Sequence, residues 1–415
     1  MKKILKRLLS ITIGGILLVM GTACDGNNSK KTLVLPEENE FIPLNTWNNT
    51  MLDAYLKPYW YSREIYNETA VFIGEEGEST LLFTPTEIDS VKNYTLDVVY
   101  QEGKDYIIDG NKIKRLKGSK IPYWEIDDYF LEQPNVSGVS IAADMSALDF
   151  ELEGQRYLRY GETDTFTSKQ IAITYRHNQL FDGTIPTAQQ NKLENVLNKI
   201  KNNEPLNVMV YGDSVAVGCN ASGTIYGGNI NPHMPDAYNI VKQYIESVYG
   251  VDVAIENQAV GGWKLIDCFS AYNERIRGKK IDLLIFRIGG NDGHTNEATY
   301  KDLMNSFLDV FFAEYPEANV ILQTPDTPNE QSTWTLNVDK IDQWTADIIN
   351  EYANGDKVAI ADVQSFVKWT KSKGKKARDW LANNINHAND FMIRVYAQYI
   401  LKTMFGKDYI EEIYE

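Results

Sequence analysis

Between Thr32 and His177 the apolar residues fall in short runs. These are AVFIG (70–74), STLLFT (79–84), YTLDVVY (94–100), YIIDGNKIKRL (106–116), VSGVSIAA (136–143), RYLRYG (156–161) and QIAITYRH (170–177). They are rich in β-branched and aromatic residues, lack helical spacing, and several are separated by Gly, Asp or Asn. That pattern predicts strands, because branched and aromatic side chains suit a pleated, half-buried surface. Asp109-Gly110 between two runs predicts a hairpin turn. Many short strands without helices between them predict an all-β sandwich or jelly-roll-like domain over residues 32–180.

Near residue 178 the pattern changes. TAQQNKLENVLNKIKNN (187–203) carries apolar residues at helical spacing and is closed by Pro205. Beyond it, continuous apolar runs alternate with amphipathic stretches. The runs are LNVMVYG (206–212), VDVAIEN (251–257), IDLLIFRIG (281–289), ANVILQT (318–324) and KVAIADV (357–363). The stretches include YKDLMNSFLDVFFAEY (300–315), DKIDQWTADIINEYA (339–353) and DFMIRVYAQYILKTMF (390–405). Strands that are apolar throughout belong in a parallel sheet covered on both faces. Residues 181–415 are therefore expected to form an α/β domain, three-layered, with a five-stranded parallel sheet. Ligands in such sheets bind beyond the carboxyl ends of the strands. No internal repeat or low-complexity tract is visible.

The first thirty residues stand apart. Lys2, Lys3, Lys6 and Arg7 precede an apolar core from Leu8 to Met20, then the small residues Gly21, Thr22 and Ala23, then Cys24. This is the layout of a secretory signal over residues 1–23, and the run is short for a spanning helix, which needs about 20 residues. Cys24 after small residues resembles a bacterial lipobox, in which the thiol is lipidated and becomes the new N-terminus. Gly21 departs from the aliphatic residue usual at its position, and an ordinary signal peptide with secretion is the alternative. Residues 24–31 then read as a lipidated cysteine and a polar tether. The expected location is outward-facing, at the cell membrane.

Charge narrows the partners. The chain carries −16, and removal of the segment before Cys24 takes away four positive charges and no acidic ones, leaving −20. Nucleic acid and anionic membrane surfaces both call for a basic footprint, so neither is an expected partner. Cys219 and Cys268 are the other two cysteines. They read as two buried thiols, with a single bridge as the alternative. No metal-ligand spacing and no glycine-rich phosphate loop appears, so no cofactor or metal is expected.

The chemistry lies where the parallel strands end. Gly212-Asp213-Ser214 follows the first, Gly261-Gly262-Trp263 the second and Gly289-Gly290-Asn291-Asp292 the third. Asn383-Asn384-Ile385-Asn386-His387 comes after the fifth and a basic run. In a doubly wound sheet all four blocks meet at one edge. A serine needs a base within hydrogen-bond reach to act as a nucleophile. Of four histidines, His387 alone sits in the loop before the terminal helix, whereas His177, His233 and His294 lie elsewhere. A tetrahedral intermediate needs donors aimed at its oxyanion. The N–H of Ser214, the N–H of Gly262 and the amide of Asn291 are the candidates, and a glycine at 262 leaves the backbone open to substrate.

GDS, the glycine block, GGND and the late histidine, in this order, resemble the SGNH (GDSL-type) hydrolases, over residues 205–406. The resemblance implies a flavodoxin-like α/β/α fold, serine esterase activity, Ser214 as nucleophile, Gly262 and Asn291 as oxyanion donors and His387 as base. The β-rich first half joined to such a domain also resembles two-domain carbohydrate esterases. One position departs: the family usually has Asp three residues before the histidine, and here it is Asn384. Asn384 is the expected orienter of His387 through its carbonyl oxygen, with a backbone carbonyl or Asp390 as alternatives.

Several neighbouring features have two readings. Asp213 is expected to brace the turn. Trp263 reads equally as a platform for a sugar ring and as core packing. KWTKSKGKKAR (368–378) reads as a solvated charge run, or as an attractor of an anionic polymer. The loop 219–235, rich in Gly and Asn, is expected to wall the pocket. The reading that results is an exported esterase acting on acetyl or other short acyl groups of carbohydrate. A lipase or lysophospholipase using the same residues, and a weakly catalytic glycan-binding protein, are the alternatives.

Overall fold

The computed structural model describes residues 46–133, 140–142, 152–332, 337–352 and 354–406. The signal region, Cys24 and the tether fall outside these residues. Among the described residues ten strands precede residue 180: β1 (Glu64–Val71), β2 (Glu78–Thr80), β3 (Glu87–Asn93), β4 (Val99–Tyr100), β5 (Tyr106–Asp109), β6 (Lys112–Arg115), β7 (Phe130–Leu131), β8 (Ser140–Ala142), β9 (Tyr157–Arg159) and β10 (Gln170–Arg176). They form three sheets, ordered β1-β10-β3-β4, β2-β6-β5 and β7-β9-β8. Every pairing between these strands is antiparallel, and β3-β4, β5-β6 and β8-β9 pair consecutive strands while the others join strands that are not consecutive in the chain. The predicted turn at Asp109-Gly110 links β5 to β6, with Gly110 at φ 61°. β3, EIDSVKN, carries too many charges for the apolar reading to find it; Glu87 and Asp89 are exposed and only Val91 is fully buried.

Five further strands follow: β11 (Leu206–Gly212), β12 (Val253–Asn257), β13 (Leu283–Arg287), β14 (Asn319–Gln323) and β15 (Val358–Ala361). They pair in parallel in the order β12-β11-β13-β14-β15, the doubly wound arrangement, with helices on both faces. β13 and β14 are buried along their whole length, which explains their apolar stretches Leu283–Phe286 and Val320–Leu322. Order reverses at β11, so the crevice beside it is the expected ligand site.

The helix Asp390–Phe405 joins the two regions. All of its residues are buried, because the sheet lies on one side and the β-rich region on the other. Asn389 caps its start by accepting from Phe391 and Met392 N–H, while its amide donates to Thr69 and Gln170 of the antiparallel sheet (both 2.9 Å). Its buried polar residues are served across the boundary: Gln398 donates to Tyr55 O (2.7 Å) and Tyr399 meets the Tyr59 hydroxyl (2.8 Å). One hydrophobic cluster accordingly runs from Met51 through β1 and β10 to β11 and Phe405.

The basic run 368–378 takes neither predicted form throughout. Its first half lies in the helix Val363–Ser372. Lys368 pairs with Asp342 and Lys373 with Asp182. Lys375 is buried, bonded to Glu68 (2.7 Å) and to Thr69 O (2.9 Å). These lysines are distributed to separate partners and do not form a field aimed at solvent.

Candidate active site

The nucleophile turn is held from below. β11 ends at Gly212, whose φ of 139° and crowding against Arg287 O leave no room for a Cβ. Asp213 then adopts extended backbone and caps the short helix Ser214–Val217 by accepting from Val215 N–H (3.0 Å). The Arg287 guanidinium at the end of β13 binds Asp213 on one side and Asp326 on the other (2.6 Å to Asp326). All three are buried, and burial disfavours the guanidinium charge. The two carboxylates outweigh that cost and keep it protonated. Asp213 braces the turn, as its position predicted.

Ser214 Oγ lies 2.8 Å from His387 Nε2. The histidine loop is organised by Asn383, whose Oδ1 accepts from the N–H groups of Ile385, Asn386 and His387 (3.0, 3.0 and 2.9 Å). A backbone bond from Ala382 N–H to His387 O (2.7 Å) closes the loop. The other histidines are elsewhere: His177 is buried in a stack on Phe83, His233 faces Asn229, and His294 is exposed.

Gly261, Gly262 and Asn291 line the same cavity as Ser214 and His387, a space of about 490 Å³ that also takes in Tyr160, Glu162, Cys219 and Tyr226. The glycine loop is fastened to β11 by Val260 N–H to Gly212 O (3.0 Å). Gly262 has φ 80° and open space around it, so a backbone that L side chains rarely adopt, as well as access, calls for glycine there. The Asn291 amide donates one hydrogen to Trp263 O (2.9 Å), which orients it and leaves the second for a ligand. Beside it, Asp292 accepts from Leu265 N–H with both oxygens (3.2 Å). Burial, reinforced by the charge of Asp213, pushes its carboxyl up to about 6. The Trp263 ring meets Tyr211 edge-on and lies beneath Arg275, on the core side and away from the cavity lining.

Asn384 does not orient His387. Its backbone is left-handed (φ 70°) and both ends of its amide are occupied by groups other than the histidine. Oδ1 accepts from the Tyr129 hydroxyl (2.7 Å) and Asn329 (3.0 Å), and Nδ2 donates to Arg159 O (2.8 Å). Asp390 is also engaged elsewhere, with Ser222 N–H (2.8 Å). The groups at His387 Nδ1 are Asn220 Oδ1 (2.8 Å) and Glu162 Oε2 (3.2 Å). Burial would raise the Glu162 carboxyl. Bonds from His387, Tyr160 and Asn383 overcome this and bring it down to about 2. Neither residue carries a sequence signal strong enough to single it out. Asn220 sits in a loop at φ 68°, and Glu162 belongs to a turn after β9. Cys219 and Cys268 are both free thiols, and burial pushes the Cys219 thiol up to about 12.

A serine on a strand-to-helix turn, a histidine in contact with it, and Gly262 and Asn291 in the same crevice are the groups that serine-esterase chemistry requires. Residues 208–395 match the model of the GDSL-like lipase/acylhydrolase family, and this stretch is a domain of that family, whose members are ester hydrolases. No curated protein matches the chain by sequence. Among solved structures, similarity is found to a two-domain esterase (CEX) active on acetylated mannans, at 15% identity over 56% of this chain and TM-score 0.42. The match spans 55% of that esterase's length. An acetylxylan esterase from Geobacillus stearothermophilus is 16% identical over 49% of this chain and 95% of its own, with TM-score 0.39. A lipase/acylhydrolase from Enterococcus faecalis is 16% identical over 47% and 93%, with TM-score 0.37.

Proposed function

We propose that this protein removes acetyl or similarly short acyl groups from carbohydrate, by a Ser214–His387 acyl-enzyme mechanism, outside the cell. The observation that carries the mechanism is the 2.8 Å contact between Ser214 Oγ and His387 Nε2 in a cavity shared with Gly262 and Asn291. Oγ attacks the ester carbonyl while its proton passes to Nε2, and the carbonyl electron pair moves onto oxygen. The N–H groups of Ser214 and Gly262 and the free hydrogen of the Asn291 amide receive that oxyanion. The intermediate collapses as Nε2 returns the proton to the leaving alcohol, and water then clears the acyl group by the same steps.

The carbohydrate assignment rests on the cavity's walls. Tyr160 and Tyr226 line it, Tyr226 being 55% exposed, and rings so placed can stack on a sugar face. Asn386 supplies hydrogen-bonding groups at the same mouth. A space of about 490 Å³ shared by the acyl group and the alcohol suits a small acyl group. The exported, Cys24-anchored location is part of the proposal and is supported by the N-terminal sequence alone.

The test is acetate release from acetylated glycans, with p-nitrophenyl acetate as a second substrate, by the full chain. Ser214→Ala should reduce turnover at least about 10³-fold. Preference for long-chain lipid esters would overturn the acetyl reading. Cys24→Ala should move the protein from the membrane fraction to the soluble one, and an unchanged distribution would remove the anchor.

A further inference from the structure

The structure assigns the role of histidine orienter to Glu162, a positioning residue that the antiparallel region lends to the hydrolase domain, acting with Asn220 on His387 Nδ1. The inference rests on the Ser214–His387 reading. Glu162 lies outside the 208–395 stretch that matches the esterase family, so the carboxylate at His387 Nδ1 is supplied from outside that stretch.

The geometry supports this from both sides of the contact. A ring nitrogen has one hydrogen to give, and two acceptors converge on Nδ1, at 2.8 Å from Asn220 and 3.2 Å from Glu162. Asn220 is buried and neutral, and it fixes the tautomer that leaves Nε2 free to accept the serine proton. Neutral oxygen does little for the positive ring that forms when Ser214 Oγ bonds to the carbonyl carbon and its proton moves to Nε2. Glu162 supplies the negative charge that Asn220 lacks. Its other oxygen is held by the Tyr160 hydroxyl and by Asn383 Nδ2 (3.1 Å). Asn383 is also the residue that folds the histidine loop, so acid and base are fixed by the same side chain. The turn backbone is secured by Thr165 Oγ1 donating to Glu162 O (2.9 Å).

Alternatives at this site are spoken for. Asn384, at the position where the acid is expected by resemblance, is bonded to Tyr129, Asn329 and Arg159. The titratable groups around the pair are Tyr160 and Cys219, both pushed above their ordinary values by burial and therefore neutral through the working pH range. Among the described residues, the ionic contact made by the His387 ring is to Glu162.

Kinetics of Glu162→Gln in the full chain test the inference, with Ser214→Ala as the reference for no catalysis. Expected is a fall in kcat of about 30- to 1000-fold with KM changed less than about threefold, since the lost interaction belongs to the transition state. The acidic limb of the kcat/KM profile should move to lower pH, because a neutral amide no longer favours the protonated ring. Adding Asn220→Asp to Glu162→Gln should restore at least about tenfold, by returning a carboxylate to Nδ1. If the Gln variant does not fold, Glu162→Ser gives the same reading. Unchanged kcat and an unchanged acidic limb, with Ser214→Ala inactive, would overturn this inference and leave the esterase reading standing. Loss of activity with an unmoved limb and no rescue would make Glu162 a fold element and also overturn it. Wild type no faster than Ser214→Ala would overturn both.

Discussion

In the parallel-sheet region each site group sits just past the strand that carries it: Ser214 after β11, Gly262 after β12, Asn291 after β13. In the antiparallel region the contributions arrive otherwise. Glu162 and Tyr160 follow β9, and reach the cavity because the whole region is docked on the segment 375–389. That docking uses Lys375 to Glu68, Val71 N–H to Asp379 (3.0 Å) and Gln170 to Leu381 O (2.8 Å). The two regions therefore differ in how a mutation should register. Groups at the sheet edge act through local turns, whereas groups of the antiparallel region act through a shared interface.

Arg287 should give the largest effect on stability, and it tests the sheet-edge half of that contrast. Arg287→Gln leaves Asp213 and Asp326 as buried unpaired carboxylates, and removing one partner of a buried ionic set costs about 3–5 kcal/mol. Chemical denaturation should show that loss, with activity falling in parallel because Asp213 caps the nucleophile turn. A stable variant with full activity would mean that the turn holds itself.

Asn384→Asp tests the interface half. The substitution restores the residue usual in the family, yet turns an Nδ2 donor facing Arg159 O into a second oxygen. The expected result is a loss of about 1–3 kcal/mol with kcat per folded molecule changed less than about threefold. A rise in kcat would place this side chain on the histidine after all.

Asp292→Asn should give the smallest change, and of opposite sign. Burial holds the folded carboxyl at about 6, above its ordinary 3.8, so the folded state keeps a proton that the unfolded chain releases. Stability from this group is present below about pH 4 and declines as pH rises through 6. Asparagine can still accept from Leu265 N–H, so the variant should gain up to ~2 kcal/mol at pH 8 and nothing at pH 4. Melting curves at the two pH values check this. An equal change at both would show that packing, and not charge, governs the position.

The parallel strands were legible because burial on both faces imposes continuous apolar runs: LNVMVYG is β11 residue for residue. Helix 390–405 was equally plain. Strand β3 was not, since a surface strand needs few apolar residues. At the site, Ser214, Gly262, Asn291 and His387 were readable because a turn, a glycine conformation or a strand end leaves a trace in the local sequence. Asn384 misled, as a register-based expectation places a residue in the loop without saying which way its side chain turns.

What the sequence alone determined about this protein is the alternation of strands and helices, the edge at which Ser214, Gly262, Asn291 and His387 gather, and the absence of a basic footprint. Its local patterns set these, through periodicity and turn chemistry. Only the tertiary structure decided which acid faces His387. Glu162 and His387 are brought within 3.2 Å by the packing of an antiparallel sheet against a buried helix, and contacts between distant segments leave no period or spacing in the chain to be read.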